Sequence, residues 1–170
     1  MNHPTITTQR FVLKVLTESL VTETYRGWFH DETVKNFIEY SKPDISLSDL
    51  KAYVVEKYKS PKTLFFGIFL PLTNEHIGNI KFEPICFESR EAVMGILIGS
   101  QEWRGRGVFE EVMSSLAPNL KELGILKIWL GVKKLNHAAI RAYEKNGFAI
   151  SENESLISSN DDSLTMVKHI

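Results

Sequence analysis

The chain has 170 residues, 43% hydrophobic and 24% charged, with a formal net charge of -1, the size and make-up of one globular domain that can bury its own core. Both signs of charge are interspersed, and Lys121, Lys127, Lys133 and Lys134 are spread rather than tracked, which argues against nucleic-acid binding. A single cysteine, Cys86, rules out an internal disulfide, the scattered histidines give no metal-ligand spacing, and no run approaches the roughly 18 apolar residues of a membrane span.

The start, Met1-Asn2-His3-Pro4, has no cationic leader followed by an apolar region, so a cytoplasmic protein is expected. The first strand is predicted at 10–15, followed by a helical region over about 22–40, where Tyr25, Trp28, Phe29, Val34, Phe37 and Ile38 recur at broadly helical spacing. Ser46 opens a clearer helix. Ser46-x-x-Asp49 is a near-capping box, with Asp for the usual Glu or Gln, and Leu47, Leu50, Val54, Val55 and Tyr58 form its apolar stripe. Strand-like segments at 63–69, 76–82 and 92–98, separated by turn-forming residues, predict an antiparallel meander.

After Gly107 the period becomes helical, with Val108, Phe109, Val112, Met113, Leu116, Leu120 and Leu123 on one stripe and Gly124 at the C-terminal cap. Pro118 predicts a kink or break near the last turn, because it lacks an N–H and crowds the Ser114 carbonyl. Segment 127–132 reads as a strand whose short return from the helix implies a parallel, right-handed crossover. A last helix over 136–145 ends at Gly147, Phe148 returns into a strand, a polar loop spans 151–163, and 163–169 is the final strand. The whole is read as a single domain, 1–170, with an α+β layout around one sheet.

The turn Arg104-Gly105-Arg106-Gly107 joins a strand to the long helix. Glycines let backbone N–H groups approach a phosphate, the following helix offers unpaired donors and a positive dipole end, and two arginines add fixed charge. No Lys-Ser/Thr follows, which excludes a P-loop, and Glu110 stands where a dinucleotide fingerprint needs its third glycine. What remains is a diphosphate held by N–H groups alone, against the plainer reading of a tight turn with exposed arginines. The later block, Asn136-x6-Tyr143-x3-Gly147-Phe148, places Tyr143 two helical turns beyond Asn136 and on the same face. Asn136 is also a favoured N-cap, and Tyr143 also fits an ordinary core tyrosine.

Together these segments resemble the acetyl-CoA signature of the GNAT superfamily of N-acetyltransferases, whose phosphate loop reads Gln/Arg-x-x-Gly-x-Gly/Ala and whose later block reads Asn-x-x-Ala-x-x-x-Tyr-Glu-Lys-x-Gly-Phe. The later block fits closely. At the loop, Arg104-x-x-Gly107-x-Phe109 keeps the cation but puts Phe where Gly or Ala is usual, whereas Glu102-x-x-Gly105-x-Gly107 keeps both glycines and puts an acid first. The Arg104 register is preferred, because a cation suits a diphosphate and Phe109 can turn its ring to the core while donating its N–H. Arg10-Phe-Val-Leu13 and Trp28-Phe-x-Asp31-x-x-Val34 look like the opening of the RimJ/RimL-type branch.

The resemblance implies a three-layer α/β fold with a mixed, mostly antiparallel sheet of about six or seven strands and helices on both faces. It implies acetyl-CoA as acyl donor, without a metal. The diphosphate would lie on the backbone of Arg104, Gly105, Arg106, Gly107, Val108 and Phe109. The pantetheine arm would lie beside Gly95, Ile96, Leu97 and Ile98, where two parallel strands splay, and would accept or donate a hydrogen bond at Asn136.

Direct transfer to a primary amine needs a donor for the oxyanion and a proton source for the departing thiolate. Tyr143, protonated at neutral pH with a reference pKa of about 10, suits the second role. The amine must also lose a proton, and no motif names the base. Glu83 is the first candidate, with Asp31, Glu39, His30 and His76 behind it. By analogy Trp28, Phe29, Asp31 and Glu39 would wall the acceptor pocket, although the aromatics fit a buried helix stripe at least as well. The expected partner is a peptide N-terminus or a small-molecule amine such as an amino sugar, with no nucleic acid, no membrane, and a homodimer left open. A non-catalytic acyl-CoA-binding module and a plain nucleotide-binding βαβ domain are the competing classes.

Overall fold

The computed structural model describes residues 5–37, 44–152 and 161–170. Strands β1 (Ile6–Thr7), β2 (Val12–Val15), β3 (Leu64–Phe69), β4 (His76–Cys86), β5 (Glu91–Ile98), β6 (Lys127–Lys133), β7 (Ala149–Ile150) and β8 (Ser163–His169) form one sheet in the order β1-β2-β3-β4-β5-β6-β8-β7. Its eight strands exceed the six or seven expected. The strand not expected is β1, two residues long and too short to carry a readable alternation, whereas β7 is the short strand into which Phe148 returns. Neighbours pair antiparallel except β5 and β6, which are parallel and joined through a helix, as the short return implied.

Among the described residues five α-helices accompany the sheet: α1 (Glu23–Gly27), α2 (Glu32–Phe37), α3 (Leu47–Lys59), α4 (Val108–Glu122) and α5 (His137–Lys145). They lie on both faces. The larger core gathers Ile80, Phe82, Met94, Ile128 and Leu130 of the sheet with Val112, Met113, Leu116 and Leu120 of α4, and α5 leans on it through Ala139, Ile140 and Tyr143. A second core, on the other face, joins Tyr25, Trp28, Leu50 and Val54 to Leu16 and Phe65. Because β3 is covered on both faces, its sequence is a continuous apolar run rather than an alternation.

The helical region expected over 22–40 is divided into α1, a 3-10 turn at Trp28–His30, and α2. Asp31 makes the division. Its backbone turns extended (φ -69°, ψ 126°), and its Oδ1 accepts from the Thr33 N–H at 2.8 Å, so it stops one helix in order to cap the next. Residues 38–43 lie outside the described residues, so the end of this region and Glu39 do too.

The capping box at Ser46 forms as read, with the Asp49 N–H donating to Ser46 Oγ at 3.0 Å and that hydroxyl donating to Asp49 Oδ2 at 2.6 Å. The break expected at Pro118 does not occur, and α4 runs on to Glu122. Ser114 and Pro118 are on the exposed side, where water can serve the carbonyl that lost its donor. Both α4 and α5 end in the same way. Gly124 (φ 85°) and Gly147 (φ 84°) take left-handed backbone, while Ile125 donates to the Leu120 carbonyl and Phe148 to the Tyr143 carbonyl. Among the described residues no helix is long and apolar enough to cross a membrane.

Candidate active site

The two parallel strands stay together for only three residues. Glu91, Ala92 and Val93 pair with Lys127, Ile128 and Trp129; beyond them β5 keeps its partners on β4 and β6 keeps its partners on β8, but the two strands do not pair with each other. Residues 94–98 therefore present an unpaired edge to a wedge that opens toward the start of α4. Gly95 is exposed there, and an added Cβ would meet nothing within 4 Å. Ile96 and Ile98 anchor one side of β5 in the larger core and Leu97 the other side in the second, so the edge is held while remaining open.

At the wide end of the wedge, the chain makes a 3-10 turn at Gln101–Trp103 and then two left-handed steps, Gly105 at φ 71° and Gly107 at φ 72°. The N–H groups of residues 105–110 find no acceptor among the described residues, and Gly107 caps α4 without a side chain. Such a run of unpartnered donors at a helix N-terminus is a candidate anion cradle. The cradle is fixed from behind by Glu111. This carboxylate accepts from the Thr8 hydroxyl, the Arg10 N–H and Arg10 Nε, each at 2.6 Å, while Arg10 Nη2 donates to the Arg106 carbonyl at 3.0 Å.

The cation on which the preferred register of the loop relies is engaged elsewhere. Arg104 does not face the cradle: its Nε donates to the Ile98 carbonyl at 2.9 Å, its Nη2 to the Gly99 carbonyl at 3.1 Å, and it pairs with Asp31 Oδ2 at 3.0 Å. Left-handed backbone falls on Gly105 and on Gly107, which both registers share. Phe109 lies inside α4, its ring edge-on to Tyr143 with centroids 5.1 Å apart and 6.2 Å from that of Phe148. Arg106 is exposed, with its guanidinium 5.9 Å from the Trp103 ring, and is the arginine placed to supply charge to an anion here. Val108 is buried beneath the cradle and contributes its N–H alone.

Asn136 caps α5, with Oδ1 accepting from the Ala139 N–H at 3.2 Å, which leaves its Nδ2 donor without a described partner. Tyr143 is enclosed by Phe109 and Phe148, and its hydroxyl makes no hydrogen bond with a described residue. Its side chain is only partly buried, yet burial around the phenol pushes its pKa up to about 12. The proton is therefore held throughout the neutral range.

On the opposite sheet face, level with the point where β5 and β6 separate, a charged network lies against α3. Lys81 pairs with Gly95 across β4 and β5, and a bulge between Phe82 and Ile85 sets Glu83 and Pro84 against Val93. Lys81 Nζ donates to the Tyr53 hydroxyl at 2.6 Å and to Glu83 Oε2 at 2.7 Å, and Lys57 and Thr63 bind Glu83 Oε1 at 2.9 and 3.0 Å. Burial alone would raise the Glu83 carboxyl, but the hydrogen bonds from Lys81 and Lys57 outweigh it and hold Glu83 below its ordinary pKa. A carboxylate so held is a weak base.

The other expected pocket residues are distributed unevenly. Trp28 is 7% exposed and belongs to the second core, its ring tilted against Tyr25 and edge-on to His76, with Phe29 packed against the same cluster. Asp31 is engaged by Arg104, by Gln101 Nε2 at 2.9 Å and by the Thr33 N–H; burial raises its carboxyl, but these bonds together outweigh it and bring the carboxyl down to about 2. His76 is buried and bonded through Nε2 to Asn79 Oδ1 at 2.7 Å, and burial pushes its imidazole down, keeping it neutral. It faces the Trp28 cluster near the end of β5, and His30 is exposed. Glu111, Gln101, Lys81 and Tyr53 escaped sequence reading, because their partners are between 28 and 103 residues away in the chain. Among the described residues no group of three or more His, Cys, Asp or Glu is arranged to hold a metal ion.

The open edge between splayed parallel strands leads into the unpartnered donors at the start of α4, and the profile of the acetyltransferase (GNAT) domain family matches residues 10–149. The chain belongs to the GNAT acetyltransferase family. Its enzymatic class follows: it is an N-acetyltransferase. No curated protein matches the chain at the sequence level. Solved structures match its fold throughout. The ribosomal L7/L12 alpha-N-protein acetyltransferase RimL, solved with coenzyme A, superposes with a TM-score of 0.83 at 16% identity, covering 98% of each chain. An acetyltransferase from Salmonella typhimurium that modifies the N-terminal serine of L7/L12 gives 0.81 at 16% identity, covering 98% of this chain and 99% of that one. The spermidine N-acetyltransferase of Vibrio cholerae, solved with CoA and spermine, gives 0.78 at 19% identity, covering 94% and 95%.

Proposed function

We propose that this GNAT protein transfers the acetyl group of acetyl-CoA directly to a primary amine, and that the preferred amine is weakly basic, such as a peptide α-amino group. The observation that carries the reading is the continuity of the unpaired edge at 94–98 with the unpaired N–H groups at 105–110. An extended arm with amide groups fits the first, and a diphosphate fits the second. Acetyl-CoA supplies the activated acyl group as a thioester. Every other contribution comes from the chain.

The N–H groups of 105–110 and the exposed Arg106 hold the diphosphate, Gly95 leaves room for the arm, and Asn136 offers its Nδ2 while its Oδ1 caps α5. Tyr143 keeps its phenolic proton and donates a hydrogen bond to the leaving sulfur. Glu83 receives the amine's proton, but two lysines weaken it, so transfer depends on how readily the amine gives that proton up. An α-amino group has a pKa of about 7.7 to 8.0 and an alkyl amine about 10.4, a difference of several hundred-fold in the neutral fraction near pH 7. Lys57 and Lys81 also disfavour a polycation at this face.

The test is turnover with acetyl-CoA on short peptides with a free N-terminal serine or alanine, the same peptides N-blocked but carrying a lysine, spermidine, and glucosamine. Preferential acetylation of the free N-termini is expected. Preference for spermidine would overturn the choice of amine. Binding of acetyl-CoA without turnover of any amine would favour a non-catalytic acyl-CoA module, a reading that Glu83's engagement by both lysines supports.

A further inference from the structure

The two residues assigned by sequence to opposite sites, Arg104 to the cofactor and Asp31 to the acceptor pocket, are bonded to each other. We infer that the Asp31–Arg104 pair couples the cofactor loop to the acceptor wall, so that filling the N–H cradle orders the start of α2. This inference rests on the acetyl-CoA reading above and goes beyond it.

Three features place the coupling. Arg104 lies immediately before Gly105, the first residue of the cradle, and its guanidinium fork binds the carbonyls of Ile98 and Gly99, at the end of the open β5 edge, as well as Asp31. Asp31 divides its two oxygens: Oδ2 receives Arg104 at 3.0 Å and Gln101 at 2.9 Å, and Oδ1 caps α2 through Thr33 at 2.8 Å. The carboxylate that starts α2 is thus the one that the loop holds. The turn just before it is seated on the same stretch of chain, because the Trp28 indole covers Gly99 so closely that an added Cβ would overlap it.

The first turn of α2 begins at the Asp31 cap, so its order depends on these anchors. A ligand that fixes 105–110 also fixes Arg104, and through Arg104 it favours the capped form of α2. By linkage, an acceptor bound against α2 favours the ligand in return. Asp31 and Arg104 act here as positioning residues, not catalytic ones.

Amide hydrogen exchange on the full chain, with and without CoA, tests the coupling without needing the acceptor. In the wild type, CoA slows exchange at 105–110 and, at a distance, at 31–35 by about fivefold or more, the lower end of ordinary coupling. Asp31→Asn retains a good N-cap but loses the ion pair; it keeps the response at 105–110, and its response at 31–35 falls below about twofold. Arg104→Lys keeps the charge, loses the fork, and gives the same result should the first variant fold poorly. An undiminished response at 31–35 in both variants, or a wild-type response confined to the loop, overturns the coupling alone. Absence of any wild-type response at 105–110 overturns the acetyl-CoA reading, and the coupling with it.

Discussion

Replacing Tyr143 with phenylalanine separates the two roles that a tyrosine at this position can play. The ring does the packing, edge-on to Phe109 at 5.1 Å and tilted against Phe148 at 5.9 Å, whereas the hydroxyl has no described protein partner. Phenylalanine keeps the ring, so stability should change by less than about 0.5 kcal/mol, and Tm by no more than about 2 °C. Turnover is another matter. With a phenol at about 12 and a thiol near 8.5, complete proton transfer to the sulfur is uphill by about 5 kcal/mol. The tyrosine therefore acts as a hydrogen-bond donor to a developing thiolate, worth about 1.5 to 3 kcal/mol, and its loss should lower kcat by about 10- to 150-fold. The assay is release of free thiol from acetyl-CoA with the best peptide of the acceptor panel, alongside direct measurement of acetyl-CoA affinity, which should hold within about threefold. Activity of Tyr143→Phe within twofold of wild type across pH 6 to 10 would remove the hydroxyl from the chemistry.

Three further outcomes follow from the same geometry. Glu111 accepts three hydrogen bonds; burial alone would raise its carboxyl, but Thr8 and Arg10 hold it below its ordinary pKa, so it stabilises the fold above about pH 4.3 and loses that contribution as pH falls through the lowered value. Glu111→Gln should cost about 1 to 3 kcal/mol at pH 7, and the gap in Tm to wild type should narrow in acid; a gap that does not narrow as pH falls below about 4.3 would contradict the assignment. Gly107 sits at φ 72°, where a Cβ meets only Arg10 Nη2 at an ordinary 3.7 Å. Gly107→Ala should therefore show the backbone penalty alone, about 1 to 2 kcal/mol or a Tm lower by about 2 to 8 °C, and an unchanged melting curve would refute the left-handed turn. With Glu83 held low, kcat/KM should rise with pH and level off near the pKa of the acceptor itself, near 8 for a peptide amine. An acceptor-independent inflection near 6 to 7 would instead reveal a base with a raised pKa.

Legibility in the sequence tracked how local each determinant is. The capping box at Ser46, the glycine stops at Gly124 and Gly147, and the stripe of α4 depend on residues within a few positions of one another, and the structure matches them. The separation of β5 and β6 was expected only through family resemblance, because nothing within either strand encodes where its partner stops. The placement of the Arg104 side chain was not legible for an electrostatic reason: a cation beside a diphosphate is a sound argument, but Asp31, 73 residues earlier in the chain, competes for the same guanidinium and wins it. Similarly, periodicity over 22–40 could not show that Asp31 would leave the helix to cap a second one.

The measurement that bears most directly on the whole account is thermal unfolding of the purified protein titrated with acetyl-CoA, with CoA and with NAD. At about a hundredfold excess over Kd, binding to the native state adds about 2.7 kcal/mol and should raise Tm by about 5 to 11 °C for a domain of this size. The account predicts that rise with both CoA species and none with NAD, which offers a diphosphate but no pantetheine arm for the open β5 edge. A rise with NAD equal to that with acetyl-CoA, or no rise with either CoA species, would contradict it.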